Sequence, residues 1–303
     1  MPVFLHRRFI SLTFWALLLL GALAPAQAAS IELIDDNGRA VLLSEPAKRV
    51  VTLSSQITEI VFAAGGGSKI VATVDSSEFP PEARKLPRIG DGLQPDPEKI
   101  KAYRPDLIIG WLTEQLDPFE ALNIPVFVST PESLAEIADS VENFGILLGT
   151  SHIARPRADL LRQTLDMLVH AKASRHAQRP PVRVFIQAGT EPEYSLGGDH
   201  LLSDVIELCG GVNVFAQVAS VTPQVSTKTV LEAKPDIILL GRAEASAQPA
   251  LDAATQAYWM SAGLPAARDG QIFMMDADVI YRPGPRLIEA AGSICDAIER
   301  ARK

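Results

Sequence analysis

Cysteine is scarce in this chain: two in 303 residues, with no CxxC pair, which excludes a disulfide-framed miniature domain or a cysteine-rich zinc module. Aromatic residues are only 6% of the total. Spacings that announce catalysis are missing too. No serine occupies a GxSxG elbow, and no histidine stands near a candidate nucleophile. Gly65-Gly66-Gly67 follows a helix-like run instead of opening one, and no Lys-Ser/Thr comes after it at phosphate-loop spacing, so these glycines read as a helix terminus. His152, His170, His176 and His200 form no cluster with carboxylates at strand ends. An enzyme is not expected. Positive charge is in deficit, 28 Lys and Arg against 36 Asp and Glu, so nucleic acid is not an expected partner.

What is present begins with an address. His6-Arg7-Arg8, an apolar run over 9–23 and Ala26-Gln27-Ala28 have the three-part form of an export signal. The run is short for a membrane span and contains Ser11 and Thr13. No cysteine stands at the cleavage site. Residues 1–28 are expected to be a signal peptide cleaved near Ala28, releasing a soluble periplasmic protein. Its loss removes Arg7 and Arg8 and no acid, moving the net charge from −8 to −10.

The chain then repeats itself. Arg104-Pro105-Asp106-Leu107-Ile108-Ile109-Gly110-Trp111 returns 130 positions later as Lys234-Pro235-Asp236-Ile237-Ile238-Leu239-Leu240-Gly241. Each copy has a basic residue, a Pro-Asp turn and an apolar run suited to a sheet buried on both faces. Helix-like segments precede them at 97–103 and 226–233. Arg49-Val50-Val51 is echoed by Arg183-Val184-Phe185, and Gly65-Gly66 by Gly210-Gly211. Two similarly built lobes follow, with a site between them.

Alternating strands and helices with short connections predict parallel α/β lobes. Strands are expected at 50–53, 70–74, 107–109, 126–128, 182–186, 237–240 and 271–275. Helices are expected at 58–64, 97–103, 133–148, 201–208, 226–233, 252–260 and 286–300. Residues 30–48 read as a mobile leading segment. The linking helix carries Leu161, Leu165 and Leu168 on one stripe, with Pro156 in its first turn. The expected divisions are an N-terminal lobe over 29–153, a single long linking helix over 154–178 and a C-terminal lobe over 179–303. The fold class is α/β, with two Rossmann-like lobes. Cys209 and Cys295 invite a disulfide in an oxidising compartment; two separate buried thiols are the alternative.

Ligands of parallel sheets sit beyond the carboxyl ends of the strands. Those ends offer Ser54, Ser55, Asp75, Ser76, Trp111, Ser129 and Thr130 in the first half. In the second they offer Gln187, Tyr194, Arg242, Asp276, Asp278 and Arg282. Aromatic and hydrogen-bonding groups with little net charge suit a bulky amphiphilic ligand.

These residues carry a resemblance. Phe79-Pro80-Pro81, the Pro-Asp-Leu-Ile-Ile-Gly-Trp run, the stretch from Leu208 through Cys209-Gly210-Gly211 to Phe215, Pro223-Gln224-Val225-Ser226 and 278–286 resemble the periplasmic substrate-binding proteins of ABC importers for cobalamin, iron-siderophores and haem. Among these the chain is most similar to the cobalamin binders, over 49 to the C-terminus. The resemblance implies two lobes joined by one helix and a corrinoid held edge-on between them. No cofactor is implied beyond that transported ligand. The implied contacts are Trp111, Tyr194 and the loop Asp278, Val279, Ile280, Tyr281 and Arg282. Ser76 and Thr222 stand where the family carries a Tyr and a Trp. The resemblance also pairs Cys209 with Cys295. It implies docking to ABC permease subunits through an acid on each lobe. Glu98 matches in the first; the second has Lys228 at that position, with Glu232 one turn on. The protein is expected to act as a monomer. A haem or ferric-siderophore binder of the same fold is the alternative, with Tyr194, Tyr281 or His200 as candidate axial ligands for haem.

Overall fold

The structure, a computed structural model, describes residues 30–111, 119, 123–175, 179–190, 193–242 and 249–302. The expected signal peptide and its cleavage site lie outside the described residues. A hairpin, β1 (Ile31–Ile34) and β2 (Ala40–Leu43), leads into the first lobe. That lobe is built from β3 (Val50–Thr52), α1 (Ser55–Ala63), β4 (Ile70–Thr73), α2 (Pro97–Ala102), β5 (Leu107–Gly110), β6 (Val126–Val128) and α3 (Leu134–Leu148). Helix α4 (Ser151–Arg175) leads to the second. There follow β7 (Val182–Gln187), the small hairpin β8 (Gly189–Thr190) and β9 (Glu193–Tyr194), α5 (Leu201–Leu208), β10 (Gly211–Asn213), α6 (Thr227–Ala233) and β11 (Ile237–Arg242). The chain closes with α7 (Pro249–Ser261), α8 (Pro265–Arg268), β12 (Ile272–Asp276), α9 (Ala277–Ile280) and α10 (Pro285–Arg300).

Among the described residues, both main sheets are parallel and four-stranded. Their orders are β4-β3-β5-β6 and β10-β7-β11-β12, the same winding in each lobe. The doubled sequence is the doubled centre of these sheets. The Asp106 carboxylate accepts the N–H groups of Lys48 and Arg49 at 2.9 and 2.8 Å, and its own N–H donates to the Arg49 carbonyl at 2.9 Å. Asp236 makes the same contacts with Arg183, both at 2.8 Å. The guanidinium of Arg49 donates to the carbonyls of Tyr103 and Arg104 beyond α2, and that of Arg183 to Ala233 at the end of α6. Arg104 and Lys234 both turn left-handed, with φ of 48° and 44°, which stops the helix before proline fixes the exit.

Two expectations are corrected. The leading segment is docked, not mobile. Asp35 accepts the N–H groups of Asn37, Arg39 and Val128 and pairs with the Arg39 guanidinium at 2.9 Å, while Asp36 accepts from Thr130 at 2.6 Å. These contacts staple the β1–β2 hairpin to the end of β6. The linking helix starts at Ser151, so Pro156 lies inside it and not in its first turn. The Thr150 carbonyl accepts the N–H groups of Ile153 and Ala154, building the first turn upstream of the proline. Residues 176–178, the expected end of that helix, lie outside the described residues.

Cys209, at the end of α5, and Cys295, within α10, are joined as a disulfide with Cα atoms 4.6 Å apart. Helix α10 packs against α1, α3, α4 and α5, and one apolar core runs through both lobes. At this junction Glu59 of α1 is buried, on a helix whose Ile57, Ile60 and Val61 are buried too. Arg286, in the first turn of α10, meets it: Nε to Oε2 is 2.8 Å, and the Arg286 N–H donates to Oε1 at 3.2 Å. The same guanidinium lies 3.9 Å from the centre of the Phe79 ring and donates to the Asp278 carbonyl at 3.2 Å. Burial pushes the Glu59 carboxyl above its ordinary range, and Arg286 pulls it back down.

Replacing both cysteines by serine removes a constraint between residues 86 positions apart. The chain-entropy loss for such a loop is about 4–5 kcal/mol. Urea unfolding should show a clearly lower midpoint; an unchanged midpoint would contradict it. Arg286→Gln leaves the Glu59 carboxylate buried without its cation, at a cost of about 3–5 kcal/mol. The pH dependence has a definite sign. Without Arg286 the folded pKa of Glu59 rises further above its unfolded value. The associated stability is then complete below the unfolded range and is lost as pH climbs through the folded value. The stability gap between variant and parent should therefore widen as pH rises above the unfolded carboxylate range, about 4. A gap independent of pH would refute this assignment.

Candidate functional site

The loops at the carboxyl ends of the two sheets meet through Arg282. Its Nη1 donates to the Ser76 carbonyl of the first lobe at 3.4 Å, and its Nη2 pairs with the Asp278 carboxylate at 2.6 Å. Ser76, Asp278 and Arg282 are therefore brought together. The Asp276 carboxylate caps α9 by accepting the Asp278 N–H at 2.8 Å, which sets the start of this loop. Ser76 is exposed but its footing is rigid. The next residue, Ser77, joins Thr52, Thr58 and Thr73 in a buried cluster of hydroxyls 2.7–2.9 Å apart.

The remaining expected contacts divide by burial. Trp111 is half-buried against the core at the end of β5, and residues 112–118 lie outside the described residues. Tyr194 is half-buried on β9 and bridges Gln224 in antiparallel fashion; Thr222 is exposed two residues before Gln224. Val279 is half-buried against the core. Ile280 is fully buried and has no surface to offer a ligand, because α9 turns it into the core. Tyr281 is committed inside its own lobe. Its hydroxyl accepts the Gly241 N–H at 2.7 Å and donates to the Gln187 carbonyl at 2.7 Å. Burial pushes its phenol up to about 12, against the lowering effect of the Gly241 contact. The Tyr281 ring lies where a Cβ on Gly241 would go, so glycine is required there.

His200 is likewise occupied. Nδ1 accepts the Leu202 N–H at 3.1 Å as the cap of α5, and Nε2 lies 3.2 Å from the Tyr281 carbonyl. That pattern needs a neutral ring with the proton on Nε2. Burial lowers its pKa in the same direction. Gln187 is buried and accepts the Trp259 indole N–H at 2.9 Å, so it does not face the cleft. The Arg242 guanidinium reaches the Met274 sulfur at 3.1 Å.

The residues expected to meet a partner sit on equivalent helices. Glu98 lies in the first turn of α2 with its side chain 78% exposed, 3.8 Å from Lys101. On α6, Lys228 and Glu232 are exposed and also 3.8 Å apart. The motifs of the resemblance include Phe79 and Arg286, but the sequence does not show that Arg286 meets both Phe79 and Glu59. A charged residue inside the apolar stripe of α1 was the sign that Glu59 had a buried partner.

The sequence profile of the periplasmic binding protein family matches residues 50–279. The vitamin B12-binding protein of Vibrio cholerae is 33% identical over 262 residues, 85% of this chain and 91% of that protein. The crystal structure of the periplasmic vitamin B12 binding protein BtuF of Vibrio cholerae superposes with a TM-score of 0.75 at 32% identity, covering 85% of this chain and 99% of that one. The periplasmic heme-binding protein RhuT from Roseiflexus, at 24% identity and a TM-score of 0.71, covers 85% of this chain and 100% of its own and shares the fold. With a matched profile over most of its length and a relative aligned along nearly its whole extent, the chain belongs to the periplasmic binding protein family.

Proposed function

We propose that the protein captures a corrinoid, cobalamin, in the periplasm and delivers it to the permease of an ABC importer. One observation carries the reading: the 33% identity to a vitamin B12-binding protein extends over 85% of the chain. The cleft chemistry supports it. A corrinoid arrives with its metal already held by the ring, and needs shape, stacking and a few polar contacts from the protein. Trp111, Tyr194 and Thr222 would flank it. Ser76, Asp278, Val279 and Arg282 would form the floor, with Ile280 and Tyr281 supporting that loop from within.

Haem is less well served. Of its candidate axial ligands, Tyr281 and His200 already have both hydrogen-bonding positions occupied. The reading also includes a signal peptide of residues 1–28, lobes over 29–153 and 179–303, and a link over 154–178. The released form would act as a monomer without catalysis and without nucleic acid. Docking would use Glu98 on the first lobe and the Lys228–Glu232 pair on the second. Their exposure, and the equivalence of α2 and α6 in the repeat, favour that use.

Calorimetric titration of the mature protein with cyanocobalamin should give one site with Kd tighter than about 10 µM. Haemin and a ferric siderophore should bind more weakly. No cobalamin binding in that range would defeat the proposal. Glu98→Arg should reduce uptake in cells that depend on this protein, with unchanged affinity for free ligand; normal uptake would remove Glu98 from the docking surface.

A further inference from the structure

We propose that Glu193, Tyr258 and Thr227 form a positioning cluster that holds Tyr194 at the cleft. This rests on the reading of Tyr194 as a ligand contact, and adds to it three residues that need not touch ligand themselves.

A hairpin whose strands are two residues each has little stability of its own. Its main chain is tied at few points: Ala188 donates to the Tyr194 carbonyl at 2.8 Å, Val225 to Glu193 at 2.9 Å and Ser195 to Pro223 at 2.9 Å. Those bonds fix where β9 lies. With only two residues in each strand, the aim of the side chains depends on what their own polar groups contact. Neighbouring residues of a strand point to opposite faces, so whatever holds Glu193 also sets the direction of Tyr194.

The Glu193 carboxylate is held firmly. Its Oε1 accepts the Tyr258 hydroxyl and, at 3.2 Å, the Thr227 hydroxyl; these two hydroxyls also touch each other. Three elements thus converge on one oxygen: β9, the first residue of α6, and α7. The hydrogen bond to Glu193 pushes the Tyr258 phenol above its ordinary range, which keeps it a donor. The anchor continues inward. The Tyr258 ring packs edge-on against Trp259 at 5.0 Å, and the buried Trp259 donates to Gln187, the last residue of β7, from which the hairpin departs. The circuit from β7 through the hairpin to α7 therefore closes on itself, with Tyr194 on it. Tyr258 is 43% exposed, so the cluster contributes little to global stability, and its loss should register in the hairpin.

The test uses the mature chain and cyanocobalamin. Tyr258→Phe keeps the ring on Trp259 and removes only the hydroxyl. We expect binding weakened about tenfold, an unchanged thermal midpoint, and faster deuterium exchange at the amides of Ala188 and Ser195. In a Tyr194→Ala background the same substitution should produce no further loss, because the cluster acts through Tyr194. Glu193→Gln, whose amide oxygen still accepts, should retain more affinity than Glu193→Ala. Parent-like binding by Tyr258→Phe, or an undiminished loss in the Tyr194→Ala background, overturns the proposal. If the parent binds no cyanocobalamin, the corrinoid reading fails separately. The exchange measurement then decides alone: faster hairpin exchange upholds the cluster, and unchanged exchange overturns it.

Discussion

In each lobe a carboxylate placed just after a proline fixes where the central strand of the sheet begins. Asp106 and Asp236 accept main-chain N–H groups at the start of the neighbouring strand, and their own N–H groups continue the ladder. Register matters here because a slip of one residue exchanges the two faces of a strand. The first four residues of β11 and all four of β5 are buried, so hydrophobicity alone selects neither face. The polar clip supplies the missing information. Once it is set, the length of each strand decides which side chain arrives at its carboxyl end: Trp111 after β5, Arg242 at the end of β11. The rest of the site is hung on those ends.

Joining two such lobes is a separate problem. Helix α4 connects them in sequence, but α10 does much of the packing, touching α1, α3 and α4 as well as its disulfide partner α5. Apolar contact supplies attraction without direction. Direction comes from Arg286, whose guanidinium is engaged by Glu59, by the Asp278 carbonyl and by the face of Phe79. A planar cation with partners at edge and face has few alternative poses. Burial raises the pKa of Glu59 despite the pair, which argues that the contact is retained for geometry more than for net stability. That geometry holds the preceding loop, from which Arg282 reaches Ser76.

How much of this was legible in the sequence depended on the distance over which each feature is encoded. The repeat, the parallel strands and helix α5 could be read because period and composition are local. The Cys209–Cys295 bond could be anticipated because two cysteines allow one pairing within the chain and the resemblance implied it. The resemblance supplied the cleft loop 278–282, yet could not say which of its members face outward. Ile280 and Tyr281 turn inward because α9 is a single helical turn whose direction is set by its Asp276 cap and by the space Gly241 leaves. Nothing within five residues of Tyr281 announces Gly241 or Gln187. The start of α4 was misplaced because Pro156 is a common first-turn residue, whereas the turn was nucleated earlier by Thr150. The docking of the leading segment was missed because Asp35 and Asp36 find partners at the end of β6 and just beyond it, more than ninety positions away.

The polar groups at the strand ends separate into those satisfied inside a lobe and those on the cleft. Gln187, Tyr281 and His200 belong to the first set, and removing any of their partners would leave a buried polar atom without a bond. The second set is Ser76, Asp278 and Arg282, which meet between the lobes; on the proposed function, recognition would fall to them together with Trp111 and Tyr194. Of these, Asp278 and Arg282 already neutralise each other, so the floor presents little net charge. A small, highly charged anion would gain little from such a surface. On the proposed function, a broad ligand with peripheral amides would gain from it, because the paired charges would offer donors and acceptors at fixed positions while the aromatic side chains would cover apolar area. The committed residues are thus as informative as the free ones. By holding the loop and withholding their own hydrogen bonds, they favour a ligand recognised by its outline and edge groups.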